Sequence, residues 1–202
     1  LELLGPSLLE HLPVLLLELL GGLLLDLGPQ RLRLGLGRAD HLIGLGFCVG
    51  RRPGGEAVAY AVSEAVQREG SCHETTTPAP GLDAAHEERI RSLALCVAEE
   101  LGVPVVLAVE LMERPDGEVV VNELAMRPHN TGHWTIDGAF TSQFENHLRA
   151  ILGLPPGPTE ARGHSVMANL VGALPPLELL QAVPGAHLHL YGKQPRTGRK
   201  LG

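Results

Sequence analysis

Glu118-Val-Val-Val-Asn-Glu123 decides the fold: three β-branched residues run into an amide and a carboxylate. The preceding run from Val103 to Met112 is also rich in strand formers, and Pro115-Asp116-Gly117 lies between the two. The pattern reads as a hairpin. Asp-Gly favours a two-residue turn, and with Asp116-Gly117 as that turn Pro115 faces Glu118 and, counting outward pair by pair, Glu110 faces Glu123. Carboxylates directly opposite on one sheet face have Cβ atoms roughly 4.5–5.5 Å apart and repel unless a cation lies between them. A hard ion such as Mg²⁺, shared with substrate phosphates, suits such a pair. A solvated acidic pair at a sheet edge is the plainer reading of the same spacing.

Downstream, Arg127-Pro-His-Asn-Thr-Gly-His133 follows neither the helical nor the strand period. It gathers a guanidinium, two imidazoles and a carboxamide. Arg offers a planar fork for carboxylate or phosphate, and His exchanges a proton near neutral pH, so the loop reads as an oxyanion site. His129 and His133 have the spacing of a zinc helix, but Pro128 and Gly132 oppose a helix and no Glu follows the first His. Ser142 and Glu145 then have capping-box spacing. They predict a helix that ends at Gly153, with Phe144, Leu148 and Ile151/Leu152 on one face, acting as scaffold.

The run Val121 to Gly138, with Thr141-Ser-Gln-Phe-Glu-Asn-His-Leu-Arg-Ala150, resembles the signature of 5-(carboxyamino)imidazole ribonucleotide synthase, an ATP-grasp ligase family of purine synthesis. Further pieces fit in order: Arg51 to Gln67, Pro78 to Leu82, Leu107 to Leu111, Leu188 to Lys193 and Arg196 to Gly202. The likeness covers about residues 46 to 202. It implies that Glu110 and Glu123 are ligands of Mg²⁺ (or Mn²⁺), and that Asn122 joins them on the nucleotide side. It places Arg127, His129 and Asn130 by bicarbonate and carboxyphosphate, and Lys193, Arg199 and Lys200 on the ribonucleotide phosphate. The implied reaction takes ATP, bicarbonate and 5-aminoimidazole ribonucleotide to the N-carboxylated ribonucleotide, ADP and phosphate.

The expected fold is α+β. Residues 46–154 are a partial ATP-grasp domain, its carboxyl-terminal subdomain of antiparallel sheet with helices, and 155–202 are a small β-rich cap. Family members also carry an amino-terminal domain and a glycine-rich lid with a lysine. No lysine precedes Lys193 here, so a fragment that retains only ribonucleotide or phosphate binding is the alternative expectation.

With 202 residues, 44% of them hydrophobic, the chain has material for one or two domains, and a net charge of −7 argues against a general nucleic-acid surface. Only the tail is basic: Lys193, Arg196, Arg199 and Lys200 occur with no acid from Leu179 onward. The three cysteines, Cys48, Cys72 and Cys96, have no CxxC spacing and read as reduced thiols of a cytoplasmic protein. Residues 1–45 hold 20 leucines broken by Gly, Pro, Glu and Asp, with no run of the ~20 apolar residues that a membrane helix needs. Small-molecule partners are expected, with no nucleic acid and no membrane; a homodimer is the candidate assembly.

Elsewhere, strands are expected at Phe47-Cys-Val49 and Ala57 to Val62 about Pro53-Gly54-Gly55, and from Ser63 to Gln67. Asp83 should cap a helix to Leu101 with Ile90, Leu93/Ala94, Val97 and Leu101 on one face. Beyond Pro155-Pro156-Gly157-Pro158, strands are expected at Val166–Val171 and Ala186–Tyr191 around a short helix from Pro176 to Ala182. His187 and His189 read as ordinary strand residues.

Overall fold

In a computed structural model, the described residues are 55, 57–68, 71–114 and 119–202, with 33–34 and 43–51 described as backbone. The expected Asp116-Gly117 turn, most of the leucine-rich segment and Pro53-Gly54 lie outside them. In chain order the strands are β1 (Arg33–Leu34), β2 (Ile43–Arg51), β3 (Ala57–Ala59), β4 (Ser63–Arg68), β5 (Ser71–Thr77), β6 (Leu107–Glu113), β7 (Val119–Ala125) and β8 (Ser165–Ala168). The helices are α1 (Ala84–Glu100), the single turn α2 (Thr135–Gly138), α3 (Gln143–Ile151) and α4 (Leu177–Gln181).

The strands form one sheet in the order β1-β7-β6-β2-β4-β5-β8, with β3 also paired to β2. β1 runs parallel to β7 and every other pairing is antiparallel. The sheet reaches further toward the amino terminus than position 46, because β2 starts at Ile43 and β1 at Arg33.

α1 begins where expected: the Asp83 carboxylate accepts the His86 N–H at 2.7 Å, which satisfies one of the free donors of the first turn. Gly102, with φ of +58°, follows its last turn, a left-handed backbone that glycine adopts without Cβ strain. Its buried face of Ile90, Ala94, Val97 and Ala98 packs with Leu107, Val109, Leu111 and Val121 from β6 and β7. Strand alternation puts Ala108 and Glu110 on the opposite face. There Ala108 joins Tyr60, Val106, Ala125, Trp134 and Ala139 in a second cluster, with the Tyr60 and Trp134 rings edge to face at 6.3 Å.

α3 forms from its cap, as Ser142 Oγ accepts the Glu145 N–H at 3.1 Å, but its apolar face points outward. Gln143, Asn146 and Ala150 are buried, whereas Phe144, Leu148, Ile151 and Leu152 are 40–70% exposed. The physical reason is that the polar side chains on the inner face are saturated. Asn146 donates to Tyr60 Oη and to the Gly157 carbonyl and accepts the Gly157 N–H, and Gln143 is consumed by the loop before it, so neither needs water.

Past residue 155, β8 pairs with β5 and α4 forms at its expected place. Ala186–Tyr191 forms no ladder. Tyr191 N–H donates to the Leu201 carbonyl, while His187 and His189 reach Asp137 at 3.5 and 2.7 Å. Side-chain contacts to α2 hold this segment in place of a neighbouring strand.

Candidate functional site

Glu110 and Glu123 are Cα partners across β6 and β7, the pairing that the turn-based count expects, reached by a different route. Nearer the turn, Leu111 pairs with Val121, Met112 with Val120 and Glu113 with Val119, one residue out of the two-residue-turn register. A bulge restores the count, and it leaves Asn122 as the extra residue. The bulge also sets the faces. Val121 packs in the α1 core and Ala125 in the opposite cluster, although both are odd-numbered and an unbroken strand would put them on one side. Asn122 and Glu123 consequently lie side by side in the open.

Glu110 is 5% exposed, and its Oε1 accepts from Gln67 Nε2 of β4 at 2.7 Å. Glu123 is exposed; its Oε1 is 3.2 Å from Arg127 Nη2 and its Oε2 is 3.6 Å from His129 Nε2. One ligand atom from each of Glu110, Glu123 and His129 falls within 4.8 Å of the others. Two carboxylates and an imidazole fit a divalent cation: the oxygens suit Mg²⁺, and a set that includes the nitrogen also suits Mn²⁺. His133, the other half of the zinc spacing, stays outside this group.

Residues 127–133 are shaped from below by Gln143, which has no exposed surface. Its Oε1 accepts the His129 N–H at 2.9 Å, and its Nε2 donates to the His129 carbonyl at 2.7 Å and to His133 Nδ1 at 2.9 Å. The last contact makes Nδ1 an acceptor, which puts the His133 proton on Nε2. Burial, the largest influence, pushes the His133 pKa below the ordinary imidazole value, and the positive charge of Lys200 adds to the effect. His129 Nδ1 meets Thr131 Oγ1 at 2.9 Å, so its Nε2 faces Glu123.

The basic tail divides. Lys200 is half-buried and donates to Asn130 Oδ1 at 2.7 Å, and burial lowers its pKa from the ordinary lysine value. Lys193 instead is exposed and lies 5.0 Å over the Tyr191 ring, and Arg199, half-buried, reaches the Gln194 carbonyl at 3.4 Å. Asn130 is paired reciprocally with Asn169, 2.8 Å in each direction. Arg127, His129, Asn130 and Lys200 thus gather around the Glu110–Glu123 pair, whereas among the described residues Lys193 and Arg199 make their contacts elsewhere.

Sequence reasoning missed Gln67, Gln143 and Asn169. A signal exists for Asn169, a lone amide in the apolar run Val166-Met-Ala-Asn-Leu-Val171. No helix among the described residues is long and apolar enough to cross a membrane.

Two family models match the chain. Residues 43–144 match the ATP-grasp domain model, and residues 165–202 match that of the phosphoribosylaminoimidazole carboxylase C-terminal domain. The N5-carboxyaminoimidazole ribonucleotide synthase of Mycobacterium tuberculosis is 49% identical over 175 residues, which cover 82% of this chain and 41% of the relative. That of Corynebacterium ammoniagenes is 46% identical over 171 residues, covering 78% and 41%. Among solved structures, the synthetase of Thermus thermophilus superposes with a TM-score of 0.75 at 45% identity, over 83% of this chain and 46% of that one. The Aspergillus clavatus synthase, in complex with ADP and 5-aminoimidazole ribonucleotide, gives 0.74 at 33% identity over 79% and 45%. The chain spans less than half the length of these relatives. With a model match over half its residues and a sheet that sets two carboxylates opposite each other on neighbouring strands, the chain belongs to the ATP-grasp family.

Proposed function

We propose that this chain carries part of the machinery that carboxylates 5-aminoimidazole ribonucleotide with bicarbonate at the expense of ATP, giving 5-(carboxyamino)imidazole ribonucleotide, ADP and phosphate in purine synthesis. The observation that carries the reading is the convergence of Glu110, Glu123 and His129 beside Arg127. Residues 46–154 provide the nucleotide side and 155–202 bring in the basic tail. The setting is the cytosol, and a homodimer is the assembly we propose.

In this reading Glu110 and Glu123 hold Mg²⁺ or Mn²⁺, with Asn122 beside them toward ATP. When bound, the cation neutralises charge on the transferring phosphoryl oxygens. The chain's own groups do the rest. Arg127 offers its fork to bicarbonate and then to carboxyphosphate, Asn130 and Lys200 add donors, and His129 is placed to hand a proton to or take one from an oxygen there. Preorganised donors stabilise charge that develops during phosphoryl transfer without reorganising at that moment. Arg199 and Lys193 would grip the ribonucleotide phosphate.

The test is ADP release by the purified chain in the presence of bicarbonate, with a full-length relative as control. Release that depends on 5-aminoimidazole ribonucleotide is expected; none, while the control turns over, would overturn the catalytic reading. A second reading, binding of the ribonucleotide without turnover, is favoured by the basic tail of Lys193, Arg196, Arg199 and Lys200. Calorimetry separates the two, since that reading has the ribonucleotide bind and Mg-ATP fail to bind.

A further inference from the structure

Asn169 follows β8 directly and is 8% exposed. Its backbone N–H is fastened to the His73 carbonyl of β5 at 2.8 Å. Its side chain is held by fixed partners through both amide hydrogens and the oxygen: Nδ2 donates to the Cys72 carbonyl at 3.0 Å and to Asn130 Oδ1 at 2.8 Å, and Oδ1 accepts from Asn130 Nδ2 at 2.8 Å. At the far end, Lys200 Nζ donates to the same Asn130 Oδ1 at 2.7 Å.

A carboxamide can be turned end for end at no steric cost, so in isolation neither Asn has a preferred sense. This pair is strung between a peptide carbonyl, which can only accept, and an ammonium, which can only donate. Turning Asn169 would set its oxygen against the Cys72 carbonyl. Turning Asn130 would aim an amino group at Lys200. Both are buried or half-buried, where an unmade hydrogen bond costs most. One arrangement of the four satisfies every contact.

We infer that Asn169 is a positioning residue: through the Cys72 carbonyl it fixes the sense of the Asn130 carboxamide, which holds Lys200 by its oxygen and keeps one N–H for an oxyanion. The inference deepens the proposed function and rests on it for the identity of that oxyanion. Among the described residues the second amide hydrogen of Asn130 has no partner, which is what a donor reserved for a ligand requires. Burial of Lys200, which disfavours its charge, makes the retained acceptor matter more. The carboxyl-terminal module thereby reaches into the Arg127 loop with one residue that orders it and another, Lys200, that it orders.

The test uses the full chain with N169S, which removes the amide without adding charge, and N169A as a second variant should the first fail to fold. Each is made alone and in an N130A background. The first readout is calorimetric binding of phosphonoformate, a stable mimic of a carboxylated phosphate. The second is the titration of Lys200 followed by NMR of lysine labelled at Cε, assigned with K193R because the chain has only two lysines. N169S should weaken phosphonoformate about tenfold, the scale of one charge-assisted hydrogen bond. It should also lower the Lys200 midpoint further, because the acceptor is no longer held in place. Both effects should vanish in the N130A background, as coupling through one intermediate demands. Losses that add to those of N130A, or a Lys200 midpoint that N169S leaves where it was, would overturn the inference by reducing Asn169 to a structural contact. If the unmodified chain does not bind phosphonoformate, the oxyanion reading fails, and the Lys200 titration still decides the role of Asn169.

Discussion

Gln67 donates to Glu110 across the β2 strand that separates their own strands, at 2.7 Å. It engages Oε1 of a carboxylate that is almost wholly buried, so Oε2 is the oxygen that remains for an ion. Partners that orient a ligand in this way are commonly worth tenfold to a hundredfold in metal affinity. Gln67→Leu should therefore weaken Mn²⁺ binding about tenfold in a calorimetric titration, with the melting temperature of the metal-free chain little changed. Unaltered Mn²⁺ affinity would separate Gln67 from the site.

Glu110→Gln and Glu123→Gln each remove one charge from the pair. In the unmodified chain a saturating divalent ion should raise the melting temperature, since binding to the folded state at a hundred times Kd contributes about 2.7 kcal/mol. Both variants should lose most of that increment. Glu110→Gln should also melt higher than the parent in the absence of metal if repulsion between the two carboxylates is felt there. Differential scanning calorimetry with and without Mg²⁺ checks both points.

His133 should make the fold acid-sensitive. Burial holds its pKa below the ordinary 6.5, so as pH falls the unfolded chain takes up that proton first. Its contribution is complete above about pH 6.5 and is lost as pH drops from there toward the lower folded value. His133→Gln should flatten the fall in urea-derived stability below pH 6.5 and change little above it. An unchanged acid limb would refute the assignment of Nδ1 as an unprotonated acceptor from Gln143.

Gly157 sits in the Pro155–Pro158 cluster, which from sequence reads as an open boundary, yet it is buried against Thr141. A Cβ placed there would come within 2.4 Å of Thr141 Oγ1 and 2.8 Å of its Cγ2, and a β-branched side chain has little freedom to move aside. Gly157→Ala should cost about 1–3 kcal/mol in chemical denaturation, the usual range for overpacking. Thr141→Ser in the same chain should recover part of the loss.

Legibility followed the reach of local rules. The α1 cap and its apolar face could be read because cap, period and stop all lie within one element. The Glu110–Glu123 pairing could also be read, although the bulge at Asn122 could not: nothing in Val119-Val-Val-Asn-Glu123 distinguishes an unbroken strand from one that changes faces. The inner side of α3 could not be read because apolar periodicity assumes that buried means apolar, and Gln143 and Asn146 are buried with their polar atoms paired. Gln67 and Asn169 stayed hidden because their partners, 43 and 39 residues away, become neighbours only once the sheet is assembled.

The pairing of β8 with β5 has one more outcome. β8 is the last strand in the sheet order, and without it Ser71–Thr77 would present a bare row of amides and carbonyls, the template on which sheets of separate molecules zip together. The segment that supplies Lys200 thus doubles as a guard against self-association, and versions of the chain shortened ahead of Ser165 should precipitate before they can be assayed.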